Sequence, residues 1–278
     1  VQQPDSAGSD AWVRQQLSSQ LEPAHALGQL ERLAEQLARI FWRSDGIETM
    51  LTMESPQLVV FAADHGLTDE GVSVFPQSAT LSRAHRLLAG MAPVNALAEL
   101  HAMPITLVDA GVASHIVSPG VTAQTDVPLQ LRKIGYGTRN MVLTRAMSVD
   151  QALSAIQAGQ DVVRHLPGNV VALGSIGVGG NACAALLLSR LCGVPLADAC
   201  GRDQAEDSLH AQRRLERLFA AATRHRKATA VMDVLAAMGG FEVAMMSGAI
   251  LQAASERRVV LLDGFVAGPD VSPQQPLG

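Results

Sequence analysis

Residues 58–66 read LVVFAADHG, an apolar run from Leu58 to Ala62 that ends in Asp64, His65 and Gly66. Its length, its branched side chains and its abrupt polar end predict a buried strand that runs into a loop. A strand without alternating polar positions must be covered on both faces, which is the condition of a parallel sheet held between helices. The same pattern returns downstream. PITLVDAGV from Pro104 to Val112 passes through Asp109-Ala110-Gly111, VVALGSIGVGG from Val170 ends at Gly180, and RRVVLLDGF carries a strand over Val259 to Leu262 before Asp263-Gly264-Phe265.

Helical spacing fills the intervals, near Thr80 to Leu100, Ser148 to about Leu166, Asn181 to Cys192, Asp207 to His225, and Ala230 to Ser255 with an interruption at Gly239-Gly240. Residues 113–145 look irregular, apart from a short strand over Leu129 to Ile134. Strands separated by helices imply right-handed crossovers and a mostly parallel sheet. Upstream, residues 11–41 read as outer helices broken around Pro23, with Leu27, Leu30, Leu33 and Leu37 on one face. The expected organisation is a helical segment over 1–45, an α/β domain over 46–266, and a Pro/Gly-rich tail over 267–278.

Composition agrees with that architecture. Of 278 residues, 48% are hydrophobic but only 3% aromatic, so the core is built from Ala, Val, Leu, Ile and Met, a palette suited to helices on a sheet. A net charge of −5, with Arg213, Arg214 and Arg217 interleaved with Glu216, disfavours nucleic acid as a partner. Cys183, Cys192 and Cys200 form no CxxC pair, so neither a disulfide framework nor a zinc knuckle is suggested. No apolar run reaches membrane-spanning length and the polar start has no signal-peptide layout, which makes the cytoplasm the expected compartment, with no membrane partner. The first residue is Val and the last dozen read AGPDVSPQQPLG, so both ends read as trim points of a longer chain.

In open parallel sheets, ligands bind beyond the carboxyl ends of the strands. Four segments have that address: Ala63 to Gly66, Asp109 to Gly111, Gly174 to Gly180, and Asp263 to Phe265. The third is the most suggestive, because Gly174, Gly177, Gly179 and Gly180 lie between a strand and a helix, where several N–H groups and the helix dipole can face one anion. It could cradle a phosphate or be a plain Gly-rich turn. It fits neither G-x-G-x-x-G nor the P-loop. Asp64 and His65 have no second His within a turn, which favours loop capping over metal binding or direct catalysis. Asp263 could accept from a ribose hydroxyl or be ordinary turn chemistry, and Asp109 has the same ambiguity.

Gly239-Gly240 costs a continuous helix about 1 kcal/mol per Gly. The pair either starts a new helix, with Phe241 and Glu242 in its first turn and N–H groups free for a ligand, or marks close helix packing. Met232, Met238, Met245 and Met246 read as core filling. Arg213, Arg214, Arg217 and Arg224 read as a solvated face. Nothing resembles a nucleophile elbow or a Ser-His-Asp arrangement.

Five stretches together carry a resemblance: LGQLERLAEQLA from Leu27, FAADHGLTDEGVSVFPQSAT from Phe61, GTRNMVLTRAMSVDQA from Gly137, MGGFEVAMMSGAILQAA from Met238, and VVLLDGF from Val259. In order and spacing they resemble the nicotinate mononucleotide:5,6-dimethylbenzimidazole phosphoribosyltransferase family of cobalamin nucleotide-loop assembly. The resemblance implies a Rossmann-like α/β domain, a small helical part from the chain ends, and a homodimer. It also implies transfer of the 5-phosphoribosyl group from nicotinate mononucleotide to a benzimidazole-type base, with no metal and no cofactor.

Carried over by position, Gly174, Ser175, Gly177, Gly179 and Gly180 occupy the family's phosphate and ribose loop, Asp263 its ribose aspartate, and Gly239 and Gly240 its glycine pair beside the nucleotide. Asp64 and His65 complete the expected substrate-binding set. Three departures stand out. Ser175 replaces the family's loop Glu, and Gly180-Asn181-Ala182 replaces its Asn-Thr-Thr. Asp203 and Glu206 put negative charge in CGRDQAEDS, where a second phosphate loop is expected. The family's base, a Glu in an Arg-Leu-Gly-Glu-Gly-Ser/Thr-Gly motif beyond LLDGF, has no match within these residues, so the catalytic residue is left unassigned. The alternative reading is a catalytically degenerate relative that serves as a binding or partner subunit.

Overall fold

The computed structural model describes residues 10–13, 15, 28–41, 52–117, 127–201 and 208–266. A helix α1 (Gln29–Phe41) precedes strand β1 (Gln57–Ala63), a 3-10 turn (Gly66–Glu70), and helices α2 (Ser78–Leu88) and α3 (Pro93–Leu100). Strands β2 (Ile105–Gly111) and β3 (Leu129–Leu131) follow, then α4 (Val149–Arg164), β4 (Val170–Ile176), α5 (Gly180–Cys192), the short α6 (Leu196–Ala199), α7 (Ser208–Arg224), α8 (Val231–Met238), α9 (Phe241–Ser255) and β5 (Val259–Leu262).

The five strands form one parallel sheet in the order β3-β2-β1-β4-β5. The chain therefore winds outward from β1 to β3, returns to the middle as β4, and leaves on the other side as β5. The order reverses between β1 and β4, so the loops leaving these two neighbours diverge and open a crevice. On one face, α4, α5, α8 and α9 cover the sheet around Phe61, Leu186, Met238 and Met245. On the other, α2 and α3 bury Leu87, Leu88, Leu107 and Ala62. Each fully buried Leu, Phe or Met contributes roughly 1.5–3 kcal/mol, and this two-sided burial holds the strand ends in register.

Helices α4 and α9 meet backbone to backbone. A Cβ at Gly159 would collide with the Met245 carbonyl, and one at Gly248 with that of Ile156. α4 itself begins with a capping box, Ser148 accepting from Gln151 N and the Gln151 side chain accepting from Ser148 N, both at 3.0 Å.

Several expectations need correction. The helix expected from Thr80 to Leu100 is two helices, because Gly90 takes a left-handed φ of 75° and Pro93 starts the next. The strand over Leu129 to Ile134 is a ladder of three residues, after which only Arg132 N to Asp109 O and Ile134 N to Ala110 O, both 3.0 Å, continue the pairing. On α1, an outer helix as read, Leu30 and Leu33 are exposed and Leu37 is half-buried, while Leu27 lies outside the described residues. Arg39 pairs with Asp10 at 2.7 Å. The tail beyond 266, with Asp203 and Glu206, also lies outside the described residues. The Met residues from 232 to 246 pack in or against the core, as expected. The arginine face of α7 is only partly solvated, since Arg214 donates to Cys200 O at 3.1 Å and Arg217 lies 3.5 Å from Glu70.

Candidate functional site

The crevice between β1 and β4 is built from the two segments the sequence singles out most strongly. Past β1, the chain is pinned on both sides: Asp64 N donates to Gly111 O (3.0 Å), Thr138 N to Asp64 O (2.9 Å), and Gly66 N to Thr138 O (3.0 Å). A Cβ at Gly66 would lie 2.6 Å from Asn140 N and Thr138 O, so this close approach requires glycine.

That pinning drives the side chain of His65 inward. It is fully buried, with Nε2 2.9 Å from Oε1 of Glu242, itself 1% exposed, in the first turn of α9. Neither imidazole nitrogen and neither Glu242 oxygen has a hydrogen bond of good geometry. Burial by itself pulls His65 toward its neutral form, but Glu242, together with Cys183 of α5, outweighs it and holds the imidazole well above its usual pKa. Cys183 donates to Met238 O at 3.2 Å, and burial pushes its thiol up. Thiol, imidazole and carboxylate are therefore neighbours, but a buried neutral thiol is no nucleophile.

Asp64 takes the capping role. Its Oδ2 accepts from Ala113 N at 2.8 Å, while Oδ1 has no hydrogen-bond partner. Burial raises its pKa, against the Ala113 N–H, the Thr80 hydroxyl and His65, which lower it. Asp109 serves structure: Oδ1 accepts from Val112 N at 3.0 Å and Oδ2 faces Lys133 Nζ at 2.9 Å.

β4 runs through Ile176, so Gly174 and Ser175 are strand residues paired with Val60 and Phe61, not loop residues. The turn proper is Gly177 to Gly179, with Gly179 left-handed at φ 91° as the N-cap of α5. Two of its N–H groups are spent internally, Val178 N on Thr80 Oγ1 (3.0 Å) and Gly180 N on Gly177 O (3.3 Å). The turn packs against the His65 side chain: a Cβ at Gly177 or Gly180 would come within 3.5 or 3.8 Å of Nε2, and one at Gly179 within 3.3 Å of His65 Cβ. Gly239 and Gly240 separate α8 from α9, as one reading had it, but Gly239 N is not free, since it donates to Leu235 O at 2.8 Å. A Cβ at Gly240 would lie 2.5 Å from both Glu242 oxygens and 2.6 Å from His65 Cε1.

Asp263 stands exposed past β5, beside Gly264 at φ 84°. With Gly174, Ser175 and Ile176 it lines an apolar cleft of about 590 Å³, whose other walls include Leu58, Leu87 and Leu97 and whose rim carries Arg83 and Arg86. Of the carboxylates here, Asp64 and Glu242 are buried and only Asp263 is exposed.

His65 thus joins three of the predicted segments, ADHG, the Gly turn and the Gly pair, while Asp263 lines the cleft with Gly174, Ser175 and Ile176. The sequence reading missed Glu242 as the partner of His65. The signal was present: Glu242 is the only charged residue within FEVAMMSGAILQAAS, and a carboxylate in a helix apolar all round has to find a partner. Among the described residues there is no group of three or more His, Cys, Asp or Glu able to hold a metal ion, and no helix long and apolar enough to cross a membrane.

Comparison with known proteins gives a consistent result. Residues 1–269 match a family described as Phosphoribosyltransferase. The nicotinate-nucleotide–dimethylbenzimidazole phosphoribosyltransferase of Variovorax paradoxus is 40% identical over 268 residues, covering 96% of this chain and 73% of that protein. The protein of the same name from Ralstonia nicotianae is 41% identical, over 92% of this chain and 71% of its own length. Among solved structures, CobT from Thermus thermophilus superposes with a TM-score of 0.82 at 28% identity, covering 94% of this chain and 75% of that one.

Proposed function

The chain belongs to this phosphoribosyltransferase family, and from that premise we propose that it transfers the 5-phosphoribosyl group of nicotinate mononucleotide to 5,6-dimethylbenzimidazole or a similar base. The C1'–N bond to the pyridinium nitrogen breaks, and its electron pair leaves with nicotinate, whose ring nitrogen is thereby neutral. A nitrogen of the base forms the new bond to C1' from the opposite side, and the proton on the base's other nitrogen is lost. The products are nicotinate and α-ribazole 5'-phosphate. Because the leaving group departs as a neutral ring, the protein's main contribution is alignment of the two rings about C1'.

The observation that carries this reading is the convergence at the switch point: Gly177, Gly179, Gly180 and Gly240 all close on the His65–Glu242 pair. In this reading the remaining N–H groups of the turn and of the first turn of α5 receive the phosphate. Asp263 accepts from the ribose, and the apolar cleft beside Ser175 and Ile176 takes the base. Gly174 and Ser175 act from within β4, as cleft wall. Asp64 holds the loop on which His65 sits. A homodimer fits the exposed Leu30 and Leu33 of α1, which offer a surface to a second copy, and the cytoplasm is the proposed compartment.

The test is an assay of the whole chain with nicotinate mononucleotide and dimethylbenzimidazole, separating products by chromatography. Release of nicotinate that requires the base, with equimolar α-ribazole 5'-phosphate, is the expected result. Binding of the mononucleotide without either product would overturn it in favour of a degenerate relative.

A further inference from the structure

The reaction as described makes no use of the most costly feature in the crevice. His65 and Glu242 are 0% and 1% exposed, too deep to touch a substrate, and charges taken out of water are expensive unless well paired. Yet neither side chain makes a hydrogen bond of good geometry, and their 2.9 Å contact is an ion pair only. A pair serving stability alone would be replaced at little loss by apolar side chains of the same volume.

What the pair does have is a surface of glycine. The hypothetical Cβ positions bring Gly177 and Gly180 to His65 Nε2 (3.5 and 3.8 Å), Gly179 to His65 Cβ (3.3 Å), and Gly240 directly against the Glu242 carboxylate. Two loops from different parts of the chain, 177–180 and 239–240, thus rest on one ion pair. The groups that face His65 come from every element packed on it: Asp64 beside it, Cys183 from α5 and Glu242 from α9. Cys183 is buried and neutral, so the pairing charge comes from Glu242.

We propose that the His65–Glu242 pair is a positioning device, setting the height of the Gly177–Gly180 turn and thereby the affinity of the site for the phosphate of its substrate. This rests on the reading that the turn receives that phosphate. Neither residue is catalytic. Their effect reaches the substrate only through the turn, so it is confined to ligands that carry the phosphate. Because the imidazole holds the turn as a cation, the effect is also lost as pH rises through the folded pKa of His65, which lies well above its usual value.

The test is calorimetric titration of nicotinate mononucleotide, and of the nicotinate riboside that lacks its phosphate, into the wild-type chain and the variants H65Q, E242Q and H65Q/E242Q. Expected are at least tenfold weaker mononucleotide binding in each variant, no larger loss in the double variant than in either single one, and riboside affinity within twofold of wild type. Wild-type affinity for the mononucleotide falls at alkaline pH and that of H65Q stays flat. Variants that lose thermal stability but keep wild-type mononucleotide affinity, or lose both ligands equally, would overturn the proposal and leave a plain buried ion pair. Should a variant fail to fold, the alkaline titration of the wild-type chain decides: a flat profile overturns. If the wild-type chain binds the riboside but gains nothing from the phosphate, the underlying phosphate reading fails first, and the positioning role with it.

Discussion

At the carboxyl end of β2, Asp109 is buried, and both its oxygens face a donor: Val112 N on one, the Lys133 ammonium on the other. Lys133 in turn donates to the carbonyls of Val112 and Ser114, and lies over the Tyr136 ring. One strand over, at the end of β1, one Asp64 oxygen and all four side-chain N and O atoms of His65 and Glu242 lack a hydrogen bond of good geometry, with Thr80 beside Asp64 and Cys183 beside the imidazole. The first cluster is a tie between loops in which one atom, Asp109 Oδ2, is held by an ion pair alone, without hydrogen-bond geometry. The second is incomplete at the place where the strand order reverses. Buried polar groups are almost always satisfied, so the unsatisfied ones mark where a protein trades stability for something else.

The sharpest way to break this contrast is Glu242→Ala. It leaves a buried imidazole with no counter-charge and should cost about 3–5 kcal/mol, read from the urea midpoint. A loss under about 1 kcal/mol would mean that the pair is not ion-paired in solution. Lys133→Met tests the other side. It strands Asp109 with its Val112 bond intact and should cost about 2 kcal/mol while leaving mononucleotide affinity unchanged, since that cluster does not underlie the Gly turn.

A third experiment uses pH. His65 has a raised folded pKa, so its stabilisation is fully present below the unfolded value and is lost as pH rises through the folded one. Unfolding free energy should therefore decline on the alkaline side by up to about 1.4 kcal/mol per pH unit, and His65→Gln should remove that slope. The smallest effect belongs to Asp64→Asn. The amide oxygen still accepts from Ala113 N, and the native site already disfavours the carboxylate charge, so the change should stay within about 1 kcal/mol at neutral pH. Its ionisation follows the opposite sense from that of a salt-bridged acid: the preference for the folded state is greatest while Asp64 is protonated and weakens as pH rises through its raised pKa.

Much of the fold was legible because strand and helix periods are written locally. VVLL over Val259 to Leu262 is a strand as read, and the helix over Asn181 to Cys192 differs by one residue, Gly180. Errors fell where a local pattern left several outcomes open. The Thr80 to Leu100 helix breaks because Gly90 and Pro93 interrupt a run whose apolar spacing continues across them. Gly174 and Ser175 read as loop because glycine signals turns, whereas here pairing with Val60 and Phe61 extends the strand. At the site, the identity of the segments was legible and their mutual contacts were not.

The sequence by itself determined that this is an α/β chain with parallel strands, and which strand ends carry polar and glycine-rich loops, since burial period and turn chemistry act over a few residues. The likeness of its motifs to one family, carried by residue order, was likewise in the sequence. Only the tertiary structure decided that β1 and β4 are neighbours at the reversal, that Glu242 turns inward to His65 from a helix far along the chain, and that the leucines of α1 face outward. These are relations between distant segments, fixed by how helices and strands pack against each other, and no local window of sequence contains both members of such a contact.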